Sequence, residues 1–575
     1  MPFNANPVRG YILQLAAFAM VCGSHAWADQ EPDFGPNVRV FEPGAPDAQC
    51  EIDAIYATQE PGQFNANRYA ILLKPGRHDL NIRVGFYTQV AGLGLEPEQV
   101  HVSGALDSHA RWMRNRNATC NFWRSAENLS VTPTLDSGAC IWAVSQGSGL
   151  RRVHIMGNVN LWDGGWSSGG FIADSVIDGV INSGTQQQWF SRNTAWGEWR
   201  GGNWNMVFVG AENPPRGRWP DEPYTVIDRT PIVREKPYLC LDEGRYFVMV
   251  PALQTGRSGV SWTRGTTRGE RIPIDRFHVA RSDRDTADTI NQALKSGKHI
   301  LFTPGIYRID QPIQVSRPDT IVLGLGYPTL VAGAGNVVMR LADVDGLKIA
   351  GLLFEAADNE SPTLLEVGRP GSRVDHAKNP TFLFDICCRA GGANNGRCRS
   401  FVTVHSSYVV GENLWLWRAD HGAGAEWSSN RNAHGLIVHG DDVTMYALFV
   451  EHCQEYQTIW NGERGRVYFY QSEMPYDPPS PPEWMNGGVR GFASYKVADH
   501  VKHHEAFGLG VYCVFWDAAI IADTAIEAPR TPGVHLRNMI AVRLNGKPES
   551  GINRVLNDLG APVIHARISR LLSNE

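Results

Sequence analysis

The chain alternates short runs of apolar and β-branched residues with turns that are rich in Gly, Asn and Asp. Runs such as "LRRVHIMG" and "HGLIVHGDDVTMYALFV" contain strands of about five residues, and such runs recur about every 20 to 25 residues. Long amphipathic helical patterns are missing. Short strands joined by polar turns at a regular interval are typical of the coils of a parallel β-helix. A β-sandwich also has short strands, but it does not account for the interval.

One opening unit occurs twice. The segment "ILLKPGRHDLNIRVGFYTQVAGLG" (Ile71 to Gly94) resembles "ILFTPGIYRIDQPIQVSRPDTIVLGLG" (Ile300 to Gly326), and a short predicted helix precedes each copy. Two copies of one unit indicate two similar domains in tandem. We therefore predict an all-β protein with a first β-helix at 29–215, a connecting segment rich in Pro and charge at 216–285, and a second β-helix at 286–575.

The N-terminus has the pattern of a signal peptide. Arg9 is followed by the 13-residue apolar run "YILQLAAFAMVCG" and by the small-x-small site Ala26-Trp27-Ala28. The run is too short to span a bilayer, so we expect cleavage after Ala28 and export to the periplasm or the medium. No later segment is apolar enough for a membrane helix. We expect no membrane partner after cleavage.

Charge and cysteine content narrow the functional class. The net charge of −6 and the pI near 6.3 give no basic surface of the kind that binds nucleic acid, so we expect no nucleic-acid partner. We also expect the protein to act as a monomer. The cysteine spacing resembles no zinc site, so we expect no metal and no cofactor. Nine cysteines follow the signal peptide, and two readings stay open. They are either buried free thiols or include bridges, with these candidates: Cys120 with Cys140, and Cys398 with Cys387 or Cys388.

Two glutamates stand one predicted coil apart. In "VEHCQEYQTIWNGERGRVYFYQSEMPYDPP", Glu451 and Glu473 are separated by 473 − 451 = 22 residues. Residues one coil apart stack on neighbouring rungs, about 4.7–4.9 Å apart. Two carboxyl groups at that distance do not both ionise easily, so one pKa is raised, as a general acid requires.

The first half of the chain repeats this interval with neutral polar residues. Gln146 in "WAVSQGSG" and Ser168 in "SSGGFIAD" are separated by 168 − 146 = 22 residues. We expect them to stack as well. An amide and a hydroxyl can together hold a water molecule by hydrogen bonds. Taken alone, each of these polar residues is most simply explained as an ordinary surface residue on a coil of the β-helix.

Aromatic residues surround these positions in the sequence. Tryptophan is frequent in polar, Gly-rich runs such as "NLWDGGW" and "WGEWRGGNWN", and aromatic faces stack on sugar rings. Any single Trp also has the simpler explanation that it fills the core. We predict that some of these aromatic residues stack on a sugar, without specifying which: Trp162, Trp166, Trp189, Trp204, Trp460 and Tyr476.

The motifs "WAVSQGSGLRRV", "SSGGFIADSVIDG", "GTQQQWFSRN", "WLWRADHGAG" and "SEMPYDPP" resemble those of glycoside hydrolase family 55. The resemblance runs from about residue 34 to beyond 500. It implies two tandem right-handed parallel β-helices of the pectate-lyase type and an exo-acting, inverting β-1,3-glucanase whose cleft lies between them. It also implies that Glu473 is the general acid, that Glu451 is a second acidic pocket residue, and that Gln146 and Ser168 position the attacking water.

Three more residues are predicted to contact the substrate, namely Gln187, Gln188 and His452, although His452 also has a structural explanation. Inverting enzymes separate acid and base by about 6.5–9.5 Å, and stacked glutamates are closer than that. We therefore expect Glu451 to tune Glu473 or to bind a sugar hydroxyl. The base role is then shared by a water network around Gln146 and Ser168.

Two other functions remain open from the sequence. A β-helical polysaccharide lyase would use Ca²⁺ and a Lys or Arg base, and its products would absorb in the ultraviolet. A non-catalytic glycan-binding β-helix would keep its affinity when Glu473 is replaced by Gln. The residues after Gln146 and Glu473 depart from the fungal pattern of the family, which puts the glycan linkage in question more than the fold.

Overall fold

A computed structural model of the chain describes residues 1–2, 31–263, 265 and 267–574. Asp33–Glu575 form one compact unit. The predicted signal peptide spans residues 1–28, and residues 3–28 of it lie outside the described residues. Among the described residues, no helix combines the length and the apolar character that crossing a membrane requires.

The first part of this unit is a stack of short parallel strands. A 15-stranded parallel sheet begins at Val38 and ends at Ile227. Its main path follows the strands Val38–Phe41, Tyr69–Leu73, Thr88–Gly92, Arg124–Pro133, Gly149–Ile155, Phe171–Ala173, Gln188–Arg192, Asn205–Val209 and Tyr224–Ile227. The other strands of this sheet are Gly76–Arg83, Val100–Asp107, Ala139–Ile141, Asn158–Asn160, Val176–Asn182 and Ala195–Arg200.

The second part has two such stacks. A 13-stranded sheet, parallel except for its last pair, runs through Phe277–Ala280, His299–Phe302, Ile321–Gly324, Lys348–Glu355, Thr381–Ala390, Val409–Arg418, Thr444–Glu451, Gly465–Glu473, His503–Phe515, Gly533–Gly546 and Ile568–Ser573, with Ile306–Ile309 and Thr329–Ala332 at its side. An eight-stranded parallel sheet consists of Ile313–Val315, Met339–Leu341, Ser361–Val367, Arg397–Val404, Arg431–Val438, Thr458–Trp460, Tyr495–Val497 and Ile526–Glu527.

Shorter antiparallel strands connect the two parts. Thr230–Val233 pairs with Gln254–Arg257, and Arg245–Pro251 lies between Tyr238–Asp242 and Gly269–Pro273. Two small ribbons occur late in the chain, Met485–Asn486 with Val489–Arg490 and Ile521–Ala522 with Gly551–Ile552. Single 3₁₀ turns cover Pro97–Gln99, Arg114–Arg116, Ile274–Arg276 and Pro481–Glu483.

The prediction of an all-β protein with two tandem right-handed parallel β-helices is confirmed. The duplicated opening is confirmed as well, because a helix precedes each copy: Ala48–Gln59 and Ala287–Lys295. In the second of these helices, Thr286 and Thr289 form a reciprocal capping box, which satisfies amide groups that a helix start leaves free. The predicted boundaries at residues 215 and 286 remain predictions.

The interior of each β-helix is apolar, and a further apolar cluster is shared between them. Phe86, Trp123 and Phe171 of the first part pack in one buried cluster with Trp415 and Phe449 of the second. Burial of each such side chain contributes about 1.5–3 kcal/mol. The shared cluster therefore fixes how the faces of the two β-helices that carry Gln146 and Glu451 meet.

A buried network of charges reinforces this interface. Arg192 is fully buried and binds Glu235 of the connecting segment at 2.7 Å and Glu412 of the second part at 2.5 Å. Arg151 also binds Glu412 and lies 2.8 Å from Asp385. Buried charges of this kind are costly to leave unpaired, so the network penalises any other placement of the two parts.

The two cysteine bridges considered from the sequence are wrong. All nine described cysteines are free, seven of them buried, and the alternative of buried free thiols is confirmed for most of them. The two exceptions are Cys50, which is exposed, and Cys120, which is half-buried.

Candidate active site

A cavity of about 400 Å³ lies where the two β-helices meet. That volume is within the range of ligand pockets in proteins. Both halves of the chain contribute to its wall. The lining residues are Asn117, Thr119, Cys120, Phe122, Gln146, Trp166, Ser168, Gln187, Trp204, Trp417, Asp420, His421, Glu451, His452, Glu473, Tyr476, Val514, Trp516, Leu544, Asn545 and Arg567.

Two stacked carboxyl groups form the centre of the cavity. Glu451 and Glu473 end neighbouring parallel strands, Thr444–Glu451 and Gly465–Glu473, and are direct partners in the register. This confirms the stacking that the 22-residue interval predicts. Both residues are buried, Glu451 at 3% and Glu473 at 9% exposure. Their side chains therefore share a site from which water is largely excluded.

Glu451 is held by three donors. Its Oε1 accepts from Gln471 Nε2 and from Gln146 Nε2, each at 2.7 Å, and its Oε2 accepts from Trp415 Nε1 at 2.8 Å. Burial raises the pKa of Glu451 to about 7, although the hydrogen bonds from Trp415 and Gln471 act in the opposite direction. Near neutral pH this carboxyl group can therefore either hold or release a proton.

Glu473 retains its proton more strongly. Burial raises the pKa of Glu473 well above its ordinary value, and the nearby charges of Glu451 and Asp420 raise it further. The Tyr476 hydroxyl donates a hydrogen bond to Glu473 Oε2 and so fixes the direction of this carboxyl group. Both pKa values are raised, so the stacked pair retains a proton to higher pH than two free glutamates would, as a general acid requires.

The neutral pair predicted in the first part also meets here. Gln146 Nε2 donates to the Ser168 carbonyl at 2.9 Å, and the Ser168 hydroxyl donates to Gln146 Oε1 at 3.3 Å. Because Gln146 Nε2 also donates to Glu451, one hydrogen-bonded chain joins Ser168 to Glu451 across the two β-helices. The structure brings all four predicted catalytic residues together at one place.

A glycine allows Gln146 to reach the second β-helix. Gly147 has a φ of +66°, and a Cβ atom at this position would lie 2.8 Å from the Trp415 ring. A larger residue would be strained by its backbone and would also collide with that ring. The loop can therefore approach the strand Val409–Arg418 closely enough for Gln146 to bind Glu451.

A second ionised group was missed by the sequence analysis. Asp420 lines the cavity and accepts a hydrogen bond from His421 at 2.9 Å. Burial acts to raise the pKa of Asp420, but the hydrogen bond from His421 and the charges of His452 and His421 lower it to about 2. Asp420 lies inside the motif "WLWRADHGAG", yet no spacing rule singles it out, because it is not one coil from the glutamates.

Comparison with known proteins identifies the family. The sequence profile of the LAM55 pectate lyase-like domain matches residues 277–473. An exo-beta-1,3-glucanase from Streptomyces sp. (strain SirexAA-E / ActE) is 46% identical over 534 residues, which cover 92% of this chain and 87% of that protein. This chain belongs to glycoside hydrolase family 55.

Solved structures agree with this family assignment. The structure of sacteLam55A from Streptomyces sp. SirexAA-E superimposes with a TM-score of 0.92 at 44% identity, covering 94% of this chain and 99% of that one. A glutamate-to-alanine variant of sacteLam55A in complex with glucose gives the same TM-score of 0.92 and covers 98% of that chain. The protein is thus a glycoside hydrolase with the tandem β-helix fold of family 55.

The predicted substrate-binding residues divide into two groups. Gln187, Trp204, His452 and Tyr476 line the cavity, and Trp166 does so as well. Trp166 and Trp204 stack with ring centroids 6.2 Å apart, and Trp166 is 41% exposed. The Trp166 ring is therefore available to a sugar, whereas Trp204 is 5% exposed and its ring stacks between Trp166 and Tyr512, so it borders the cavity by its edge.

The other predicted contacts need correction. Trp460 is 0% exposed inside the second β-helix, where it packs against His504, and it cannot touch a substrate. Trp189 is equally buried in the first β-helix. Gln188 is buried behind the cavity wall and donates to the Ser168 carbonyl at 2.7 Å, and Trp162 lies outside the cavity wall.

Further residues of the cavity wall come from the last coils of the second β-helix, C-terminal to the motifs found in the sequence. Trp516 is 50% exposed, and Arg567 lies 5.8 Å from the centroid of the Trp204 ring. Both follow the last predicted motif, and neither repeats a residue at the 22-residue interval. Their place at the cavity depends on how the final coils fold back, which local sequence does not specify.

Proposed function

We propose that this family 55 hydrolase releases glucose from the ends of β-1,3-glucan chains, with inversion at the anomeric carbon. The name of the Streptomyces relative and the glucose complex of sacteLam55A support the substrate. The observation that carries the mechanism is the 2.7 Å hydrogen bond between Gln146 and Glu451 beside Glu473, whose pKa is raised. It joins a water-holding pair and an acid–base pair in one cavity.

Glu473 acts as the general acid in this proposal. Its raised pKa favours the protonated carboxyl group, and its place in the cavity wall exposes it to a bound sugar. It gives its proton to the glycosidic oxygen as the bond to the anomeric carbon breaks. This assistance contributes typically 10²- to 10⁴-fold to the rate, because the sugar alkoxide is a poor leaving group.

The attacking water is held by Ser168 and Gln146 in the opposite wall. Stacked glutamates one rung apart leave too little room for a water molecule between them, so Glu451 does not face Glu473 across the scissile bond. Instead the water gives its proton to Ser168 Oγ, the Ser168 hydroxyl proton passes to Gln146 Oε1, and Gln146 Nε2 gives a proton to Glu451, which leaves Gln146 as its imidic acid tautomer until the same protons return. Glu451, ionised at the start of the reaction, takes up the proton.

Product analysis tests this proposal. The protein is incubated with β-1,3-, β-1,4- and β-1,6-linked glucans, and the first products are followed by proton NMR and by chain length. The proposal predicts α-glucose, one unit at a time, from the β-1,3-linked chain. Initial release of the β-anomer, cleavage inside the chain, or a product that absorbs in the ultraviolet would each contradict it.

We also propose that the protein is exported and acts as a monomer. The signal-peptide pattern of residues 1–28 supports export, and cleavage after Ala28 gives a mature chain that begins at Asp29. N-terminal sequencing of protein from the medium or periplasm checks the cleavage site, and light scattering after gel filtration checks the mass. A chain that retains Met1, or a mass of two copies, would refute the respective statement.

A further inference from the structure

A second cavity of about 400 Å³ lies on the second β-helix. Aromatic side chains, Trp427, Trp484 and Phe492, line it together with polar side chains such as Arg431 and Gln454. It shares no lining residue with the cavity around the two stacked glutamates, which we call the active-site cavity. The second cavity is therefore a separate place of a size that binds ligands in proteins.

Three successive connections of the chain contribute to both cavities. Each leads from the 13-stranded sheet to the eight-stranded sheet, and they begin after the strands that end at Arg418, Glu451 and Glu473. Because His452 and Gln454 are two residues apart, at most about 7 Å separates the Cα atoms of side chains that line different cavities. In chain order, the active-site cavity receives Asp420 and His421, then His452, then Tyr476, and the second cavity receives Trp427, then Gln454, then Trp484.

A buried arginine holds the aromatic wall of the second cavity. Arg418 is 1% exposed, and its guanidinium carbon lies 5.5 Å from the centroid of the Trp427 ring. Arg418 is itself fixed, since it binds the Asp477 carboxylate at 2.7 Å and its Nε donates to the Asn430 carbonyl at 2.6 Å. Gln454 Nε2 donates to the Trp427 carbonyl at 2.7 Å. A ring fixed in this way loses little conformational freedom when a ligand stacks on it.

Polar groups with free hydrogen-bonding capacity lie beside this ring. Arg431 is exposed, and its guanidinium has no hydrogen bond or ion pair within the part of the chain that the structure describes. Glu483 is also exposed, and its Oε2 accepts from the Ser480 hydroxyl at 2.9 Å. A guanidinium offers five donors and a carboxylate offers several acceptor sites, whereas each sugar hydroxyl both donates and accepts. The wall therefore combines an aromatic face with partners for hydroxyl groups, and its charges have both signs.

We propose that the second cavity is a binding site for β-1,3-glucan, which holds a chain of the polymer beside the active-site cavity. The identity of the glucan rests on the proposed function. An uncharged, hydroxyl-rich chain suits a wall of mixed charge, which favours neither an anion nor a cation. A polymer held at this short distance presents chain ends to the active site at a raised effective concentration. A short oligosaccharide that occupies only the active-site cavity gains nothing from the second cavity.

Affinity electrophoresis of a catalytically impaired chain tests the binding. The Glu473→Gln chain is run in native gels with and without laminarin, a soluble β-1,3-glucan. Addition of Trp427→Ala, or of Arg431→Ala on the surface, should weaken the apparent affinity for laminarin about threefold or more. Tyr408→Ala should not, because Tyr408 is a half-buried aromatic residue that lines neither cavity. Unchanged retardation of the Arg431→Ala chain and of a folded Trp427→Ala chain would overturn the proposal.

Activity on substrates of two lengths completes the test. In chains that retain Glu473, Trp427→Ala and Arg431→Ala should lower the ratio of kcat/KM on laminarin to kcat/KM on a β-1,3-linked trisaccharide, about threefold or more. An unchanged ratio would overturn the proposal. The gel result does not depend on hydrolysis. Retardation that these changes weaken, in a protein that cleaves no glucan, would reject only the proposed function, whereas native cleavage with unaffected retardation would reject only the second site.

Discussion

Replacement of Glu451 by Gln separates its two proposed effects, acceptance of a proton and electrostatic tuning of Glu473. The amide retains the shape of the side chain but cannot take up the proton of the attacking water. Loss of this function is expected to lower kcat/KM on β-1,3-glucan by about 10²- to 10⁴-fold. Glu455→Gln is a matched control, because Glu455 is exposed and lies outside the cavity wall.

The second effect can be estimated from the stacking of the two residues. Unit charges on neighbouring rungs, about 4.8 Å apart, interact by about 3.5 kcal/mol at an effective dielectric constant of about 20. Because the charge of Glu451 raises the pKa of Glu473, its removal lowers that pKa. The alkaline limb of the pH profile of kcat/KM should therefore move to lower pH.

The assay combines the residual pH profile with rescue by a small anion. Sodium azide reaches the anomeric carbon without a base, so it should restore turnover of Glu451→Gln and give the α-glucosyl azide. Native activity in the variant, or a reduced rate with an alkaline limb that does not move, would refute the assignment. Rescue that gives the β-azide would refute inversion.

Three further changes test burial, charge and the corrected contacts. Glu473→Gln should stabilise the fold relative to the native chain, and increasingly so as the pH rises above about 4.5. A carboxyl group whose pKa is raised by folding makes the native protein less stable as the pH rises, and the amide removes this effect. A difference in unfolding temperature between variant and native chain that is the same at pH 4 and pH 8 would contradict this. Arg192→Met should cost about 3–5 kcal/mol in chemical denaturation, and Glu235→Gln should recover part of that loss; additive losses would disprove the network. Trp460→Ala should cost about 3–5 kcal/mol and leave KM unchanged, whereas Trp204→Ala should raise KM; the reverse pattern would restore Trp460 to the site.

Contacts between residues on neighbouring coils of one β-helix could be predicted from the sequence. Glu451 and Glu473 stack because the period of the β-helix is set by local strand and turn patterns, which are visible in a single chain. The same reasoning placed Gln146 beside Ser168. The hydrogen bond between Gln146 and Glu451 was not predictable in this way. The two residues are 305 positions apart in sequence, and the bond depends on how the two β-helices pack against each other.

Predicted substrate contacts were wrong where a strand residue could point either into the core of the β-helix or out toward the cavity. Trp460 is close to the glutamates in sequence, but it pairs with Val438 and Val497 in the other sheet of the coil and points into the core. Successive residues of a strand point to opposite faces, so proximity in sequence does not decide exposure. Asp420 was missed for a related reason, because its role follows from contacts with His421 and His452 and not from a repeat.

The role of Glu473 as proton donor is tested most directly by comparing two leaving groups in Glu473→Gln. A β-1,3-linked oligosaccharide needs protonation of its leaving oxygen, whereas a 2,4-dinitrophenyl β-glucoside does not. A general acid at this position predicts a loss of about 10²- to 10⁴-fold on the oligosaccharide and nearly native bond cleavage on the dinitrophenyl glucoside. Equal losses on both substrates, or undiminished hydrolysis of the oligosaccharide, would show that the proton comes from elsewhere.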